Sequence, residues 1–310
     1  MLNTIHTSKT RGSRDSLSNF ALLSIATALV TMAMKAAAYY ATGSVSLLSD
    51  AIESIVNLVG ASFAFLMLKV AARPADRDHS YGHSKAEYFA STVEALLIFA
   101  AAVSIIIAAV GRLTSPKPLE QLGVGLVISF AASVINLIVA LILIKTGKKH
   151  NSITLEADGH HLMTDVWTSV GVGIGLILVL FTRWIILDPI AAILVAVNIL
   201  WTAFQLLKRS VAGLMDASLD TAELDLIEKT LAKYRLAGIE FHALRTRQAA
   251  SRKFLSVHML VNGALTLHDA HHLAEDFESE LRILVPDLVI TTHLEPLDDE
   301  ISLNDQNDRV

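Results

Sequence analysis

Six apolar stretches, at residues 22–41, 45–70, 89–110, 122–144, 162–181 and 185–207, are long enough or nearly long enough to cross a bilayer. A spanning helix needs about 20 mostly apolar residues, because every backbone N–H and C=O in hydrocarbon must find its partner within the segment. Little but a bundle of membrane helices satisfies that requirement over two thirds of this chain. Composition agrees: 53% of the 310 residues are hydrophobic and 18% are charged, against about 25% charge in a typical soluble domain. The fourth stretch carries no charge. The fifth is uncharged only from Val166 onward, so it spans only by drawing Asp165 into the membrane.

Six crossings return both termini to one side, and the basic residues choose it. Lys9, Arg11 and Arg14 precede the first span, Lys69, Arg73, Arg77 and Lys85 join the second to the third, and Lys145, Lys148 and Lys149 join the fourth to the fifth. The opposite face offers Arg112, Lys117 and Arg183. Ten against three predicts cytoplasmic termini by the positive-inside rule. The segment before residue 19 is polar and predicts no cleavable leader.

A charged residue at mid-bilayer costs about 2.5–3.5 kcal/mol even on the lenient insertion scale. The second span nonetheless carries Asp50, Glu53 and Asn57 in the run LLSDAIESIVNL, and the fifth begins with HHLMTD. Helical steps of three and four stay on one face, so Asp50, Glu53 and Asn57 form one stripe and His161 and Asp165 another. Facing each other, the stripes make a cage of oxygen and nitrogen. With Glu53 and Asp165 ionised and His161 neutral it carries −2, the complement of a divalent cation. Glu94 in the third span and Asn136 in the fourth read as packing or pathway polar groups.

The connection after the second span, ARPADRDHSYGHSKAEYF, spaces Asp76, His79 and His83 as metal ligands, and Gly82 lets the loop bend around an ion. After Asp216 the pattern turns polar. A helix through Leu224, Ile227, Leu231 and Tyr234 stops at Gly238, strands cover 239–246 and 253–261, a helix covers 268–284, and a last strand covers 287–295. This α-β-β-α-β order predicts a small α+β domain with its helices on one face of a sheet. The predicted domain limits are 1–18, a cytoplasmic segment; 19–210, the membrane helices; 211–299, the α+β domain; and 300–310, a disordered tail.

Six of the twelve histidines lie in that last domain. His242, His258 and His293 fall on predicted strands and His271 on the helix between them, with Glu295 in the last strand as a further candidate. Neutral imidazole suits zinc and similar borderline ions. His268 and His272 read as surface residues. The chain has no cysteine, which removes disulfides, thiolate nucleophiles and thiolate metal sites. A net charge of −5 argues against a nucleic-acid partner. Without an H-E-x-x-H, or a nucleophile paired with a base, an enzyme is not expected.

TGSVSLLSDAIESIVNL, RPADRDHSYGHSKAE, HHLMTDVWTS and the closing LRTRQ…H…H…THLEP resemble the cation diffusion facilitators over residues 19–299. The resemblance implies a homodimeric, proton-coupled exporter of divalent cations in the bacterial inner membrane, with six membrane helices and a metallochaperone-like cytoplasmic domain. It implies a transport site at Glu53, Asn57, His161 and Asp165, a loop site at Asp76, His79 and His83, and a cytoplasmic site at His242, His258, His271 and His293. Glu295 stands where the family commonly has Asp. Zinc members usually carry Asp or His at the first of the transport positions and Asp at the second. Glu53 keeps the charge with a longer reach, Asn57 removes one, and Asp50 lies one turn away to compensate. Zinc is the favoured ion, with iron(II) and manganese close behind and cadmium or cobalt as further candidates. The other reading is a membrane metal sensor or assembly partner that transports little.

Overall fold

The computed structural model describes residues 3–42, 45–114, 124–300 and 302. The chain divides into two units, Met1–Val211 and Ala212–Val310. Six long helices come first: α1 (Asn3–Thr42), α2 (Val45–Ala71), α3 (Ala86–Thr114), α4 (Val124–His150), α5 (Ile153–Thr182) and α6 (Leu187–Leu214). Among the described residues all but α5 include a stretch long and apolar enough to cross a membrane. The first half of α5 carries Glu156, Asp158, His160, His161 and Asp165. Helix α1 continues back through the polar N-terminal segment to Asn3.

Burial in this unit is inverted relative to a soluble bundle. Small side chains such as Ala21, Ala64, Ala90, Ala102 and Ala140 are fully buried, while Val59, Ile107, Phe130 and Leu194 face outward. In lipid, where large apolar side chains gain nothing by hiding, close packing of small residues draws helices together. Gly159 is one such contact: a Cβ there would lie 2.7 Å from Ile144 Cγ1 and 3.0 Å from the Ala140 carbonyl. It lets α5 press directly against α4. At the start of α5, Ser152 Oγ donates to buried Glu87 Oε2 at 2.5 Å and Thr154 Oγ1 to the Glu87 carbonyl at 3.1 Å. These bonds fix how α3 lies along α5, and therefore what faces His161 two turns beyond Glu87. On α6, Arg209 grips Glu156 of α5 with both guanidinium branches, at 2.7 and 3.3 Å.

The second unit runs α7 (Thr221–Arg235), β1 (Glu240–Ala249), β2 (Arg252–Val261), α8 (Leu267–Leu284) and β3 (Leu288–Pro296), the order expected from the sequence. Asp220 and Thr266 cap the two helices by accepting from the backbone N–H of Glu223 and Asp269. Gly238, at φ +86°, turns the chain out of α7 into β1. In the sheet, order β1-β2-β3, the first pair is antiparallel and the second parallel. Leu255, Val257, Met259 and Val261 of β2 alternate onto the core face, against Ile227, Leu231, Ala274, Phe277 and Leu281 of the helices. The alternate face carries the histidines. Residues 301 and 303–310, most of the expected tail, lie outside the described residues.

Candidate metal centres

The membrane unit brings four helices to one buried polar group. Asn57 of α2 donates through Nδ2 to Asp165 Oδ2 of α5 at 2.7 Å, and its Oδ1 lies 2.8 Å from His161 Nε2. Because a carboxylate only accepts, this bond orients the amide, and the amide oxygen in turn requires a hydrogen on Nε2. Asn136 of α4 donates to the same Asp165 oxygen at 3.1 Å. On the other side of the ring, Glu94 Oε2 of α3 lies 2.7 Å from His161 Nδ1. All five residues are at most 7% exposed. At about 1.5 Å per residue, His161 and Asp165 stand about 12 and 18 Å along α5 from its first residue, Ile153.

Glu94 and Asn136, read from sequence as packing or pathway groups, therefore contact the expected site residues directly. Their signal was present in the sequence: a lone polar group in an apolar span. Asp50 and Glu53 belong to α2, but their side chains lie outside the described residues. Asn57, His161 and Asp165 form a hydrogen-bonded chain. The close groups of three His, Asp or Glu ligands among the described residues are the other two centres.

The loop centre gathers Asp76, His79 and His83. Asp76 Oδ1 is 3.3 Å from His79 Nδ1 and Oδ2 is 3.3 Å from His83 Nε2. His83 Nδ1 lies 3.2 Å from the Pro74 carbonyl, which can only accept, so Nδ1 carries a hydrogen there and Nε2 is the nitrogen that faces Asp76. Gly82, at φ +82°, donates to the His79 carbonyl at 2.8 Å and folds the second histidine over the first. The His79 backbone N–H, 2.7 Å from Asp76 Oδ1, holds that carboxyl below the usual carboxylate range; slight desolvation opposes it and His83 reinforces it. One carboxylate and two imidazoles are a fitting set for a borderline divalent ion.

In the cytoplasmic unit, strand register builds the centre. His242 pairs with His258 across β1–β2, and His258 with His293 across β2–β3, so three histidines lie abreast on the exposed face. Glu295, two residues beyond His293 and on the same face, reaches back beneath them. Its Oε2 is 2.8 Å from His242 Nε2, and its Oε1 is 2.8 Å from His258 Nδ1 and 3.5 Å from His293 Nε2. His242, His258 and Glu295 form the close ligand group, while the His293 side chain is 66% exposed. A bulge between His242 and Arg245, with Ala243 at φ +49°, turns β1 beside the centre. His271 is exposed on α8 and stands outside this close group.

Membrane-length helices around a buried acid–imidazole–amide cluster, in a chain that also has an α+β unit with a His/Glu cluster of its own, are the arrangement of a membrane transporter of cations. Family models agree over nearly the whole chain: residues 21–215 match the cation efflux transmembrane domain and residues 219–297 the cation efflux protein cytoplasmic domain. The chain belongs to the cation diffusion facilitator family of cation-efflux transporters. It is 49% identical over 280 residues to an uncharacterized transporter of Synechocystis, covering 90% of each chain. It is 31% identical to the cation-efflux pump FieF of Shewanella oneidensis, covering 88% of this chain and 92% of that one. A solved structure of CzrB in its zinc form is 33% identical, covers 27% of this chain and 94% of its own, and has a TM-score of 0.24.

Proposed function

We infer that this transporter exports a divalent transition-metal cation from the cytoplasm in exchange for protons, as a homodimer in a bacterial inner membrane with both termini cytoplasmic. Zinc is the favoured cargo; iron(II), manganese, cadmium and cobalt are the competitors. The buried chain His161–Asn57–Asp165 carries this reading. Its hydrogen bonds join the atoms that would ligate a cation, so binding must break them, and His161 Nε2 can ligate only once its hydrogen has left or moved to Nδ1. Metal ligands work deprotonated, and protonation releases the ion. Imidazole titrates near neutral pH, which suits a site that loads on one side of the membrane and discharges on the other. Glu53 of α2 supplies the second negative charge, and Asp50, one turn before it, a reserve carboxylate. Imidazole with carboxylate disfavours magnesium and calcium, and the amide of Asn57 moves the set toward harder ions than a fourth charged ligand would.

The loop residues Asp76, His79 and His83 would hold a further ion. His242, His258 and Glu295, with His293 and with His271 from α8, would hold metal in the cytoplasmic unit. Metal there would favour one arrangement of the dimer and bias the transport equilibrium.

The test is uptake of Zn²⁺, Mn²⁺, Fe²⁺ and Cd²⁺ into proteoliposomes under an imposed pH gradient, beside the Asp165→Ala protein. Flux that needs both the gradient and Asp165 supports the antiporter, and the ion carried names the cargo. Absence of gradient-driven flux for every ion, with metal still closing the cytoplasmic dimer, would leave a sensor.

A further inference from the structure

One oxygen of Asp165 carries two amides. Asn57 Nδ2 of α2 reaches Oδ2 at 2.7 Å, and Asn136 Nδ2 of α4 reaches the same atom at 3.1 Å. The two donors are not equivalent. Asn57 is also tied through its Oδ1 to His161 Nε2 at 2.8 Å, so a cation that takes up that oxygen and that nitrogen must break the tie, and Asn57 must turn to serve it. Asn136 has no such second engagement: its Oδ1 is buried and has no hydrogen-bond partner among the described residues. A residue kept only to fill space between helices would not be an amide. Leucine has the same number of side-chain atoms and leaves no buried acceptor unmatched, and natural proteins rarely keep such an acceptor without a use for the group that carries it. The end of the Asn136 amide in use is the donor, and because a carboxylate only accepts, that bond fixes which way round the amide lies.

The packing of α4 on α5 holds this contact from both sides. Ser133 Oγ, one turn before Asn136, donates to Ser169 Oγ, one turn beyond Asp165, at 2.6 Å. In the other direction α4 meets α5 at Gly159, where a Cβ would fall 2.7 Å from Ile144 Cγ1. There Val139, Ala140 and Leu143 of α4 bury with Leu155 and Leu162 of α5. The Asn136–Asp165 bond therefore lies between two close contacts of the same helix pair, and its length is set by α4 and α5 rather than by α2.

We propose that Asn136 is the positioning residue for Asp165: from α4 it holds the carboxylate in place for the transported cation, and it is the donor that stays on Asp165 when Asn57 turns to the ion. The proposal rests on the reading of Asp165 as a ligand of that ion. Partners that orient a metal-binding carboxylate without touching the metal are worth about ten- to a hundredfold in affinity or activity, and Asn136 falls in that class.

The experiment uses the full-length protein in detergent with His79, His83, His242 and His258 changed to alanine, so that the loop and cytoplasmic centres are silent. Zn²⁺ affinity is measured by competition with a coloured chelator. Asp165→Ala in this background should abolish the remaining binding; if it does not, the reading of Asp165 as a ligand fails and this proposal with it. Asn136→Leu, which keeps the branching and loses the donor, should bind Zn²⁺ about tenfold more weakly. Asn136→Ala, which loses the donor without adding bulk, should do the same, so the result does not hang on how leucine packs. In proteoliposomes under a pH gradient, either change in the otherwise intact chain should raise KM for Zn²⁺ about tenfold and alter the maximal rate less than about twofold. A packing residue would do the reverse. A lowered unfolding temperature and maximal rate with KM unchanged overturns the proposal, as does native Zn²⁺ affinity in both variants. Gradient-driven flux missing from the parent protein would instead sink the transport reading and leave the binding comparison to decide the role of Asn136.

Discussion

Replacing Asn57 by aspartate exchanges one nitrogen for one oxygen and reverses the electrostatics of the membrane site. In the native chain Asn57 Nδ2 donates to Asp165 Oδ2 at 2.7 Å. Asn57→Asp removes that donor and sets a carboxylate against a carboxylate. A hydrogen bond to a charged group contributes about 1.5–3 kcal/mol. Two like charges about 4 Å apart repel by about 4 kcal/mol at an effective dielectric of 20. The metal-free protein should therefore be several kcal/mol less stable, and a bound divalent ion should discharge the repulsion. If about 2 kcal/mol of it reappears as binding energy, affinity rises more than tenfold, since 1.4 kcal/mol is a decade. Thermal unfolding with chelator and with Zn²⁺, and a dissociation constant from competition with a coloured chelator, read both effects in protein whose loop and cytoplasmic ligands are removed. Asn57→Ala is the control: it loses the same hydrogen bonds without adding charge, and its affinity should fall. A metal-free Asn57→Asp protein as stable as its parent, with unaltered affinity, would refute the facing of Asn57 and Asp165.

Phe277, fully buried between Tyr234 and Phe241 at centroid distances of 5.3 and 5.1 Å, anchors the cytoplasmic unit. Phe277→Ala should cost about 3–5 kcal/mol, read as faster hydrogen exchange across β2 and β3 with the membrane helices unaffected; unchanged exchange would count against this core. For Asp76, whose folded pKa is depressed, the contribution to loop order is complete above the usual carboxylate range and is lost only as pH falls through the lowered folded value. A ¹³C carboxyl titration of the metal-free protein should place its midpoint below that of an exposed aspartate, and an ordinary midpoint would contradict the bond from the His79 N–H.

Much of the fold was legible in the sequence because it is local. Apolar length marked the helices, and period-2 alternation in Phe254–Leu255–Ser256–Val257–His258–Met259 separated a core face from a histidine face. The loop cluster was legible too, because Asp76, His79 and His83 lie within eight residues and Gly82 supplies the bend. Polar residues in apolar spans marked where the membrane helices would need partners, and helical spacing grouped them on each helix.

Which helix faces which was not written in any such period. Glu94 looked like a lone packing group until α3, held to the start of α5 through Glu87, Ser152 and Thr154, brought it against His161. Asn136 reached Asp165 only because α4 and α5 lie pressed together at Gly159. In the cytoplasmic unit, parallel pairing of β3 with β2 set His293 beside His258 and Glu295 beneath the row, and left His271 outside the close ligand group. Residue spacing specifies a face of one helix or strand. Contacts between elements depend on register and packing across long stretches of chain, so the chemistry of a shared site is decided only when the tertiary structure closes.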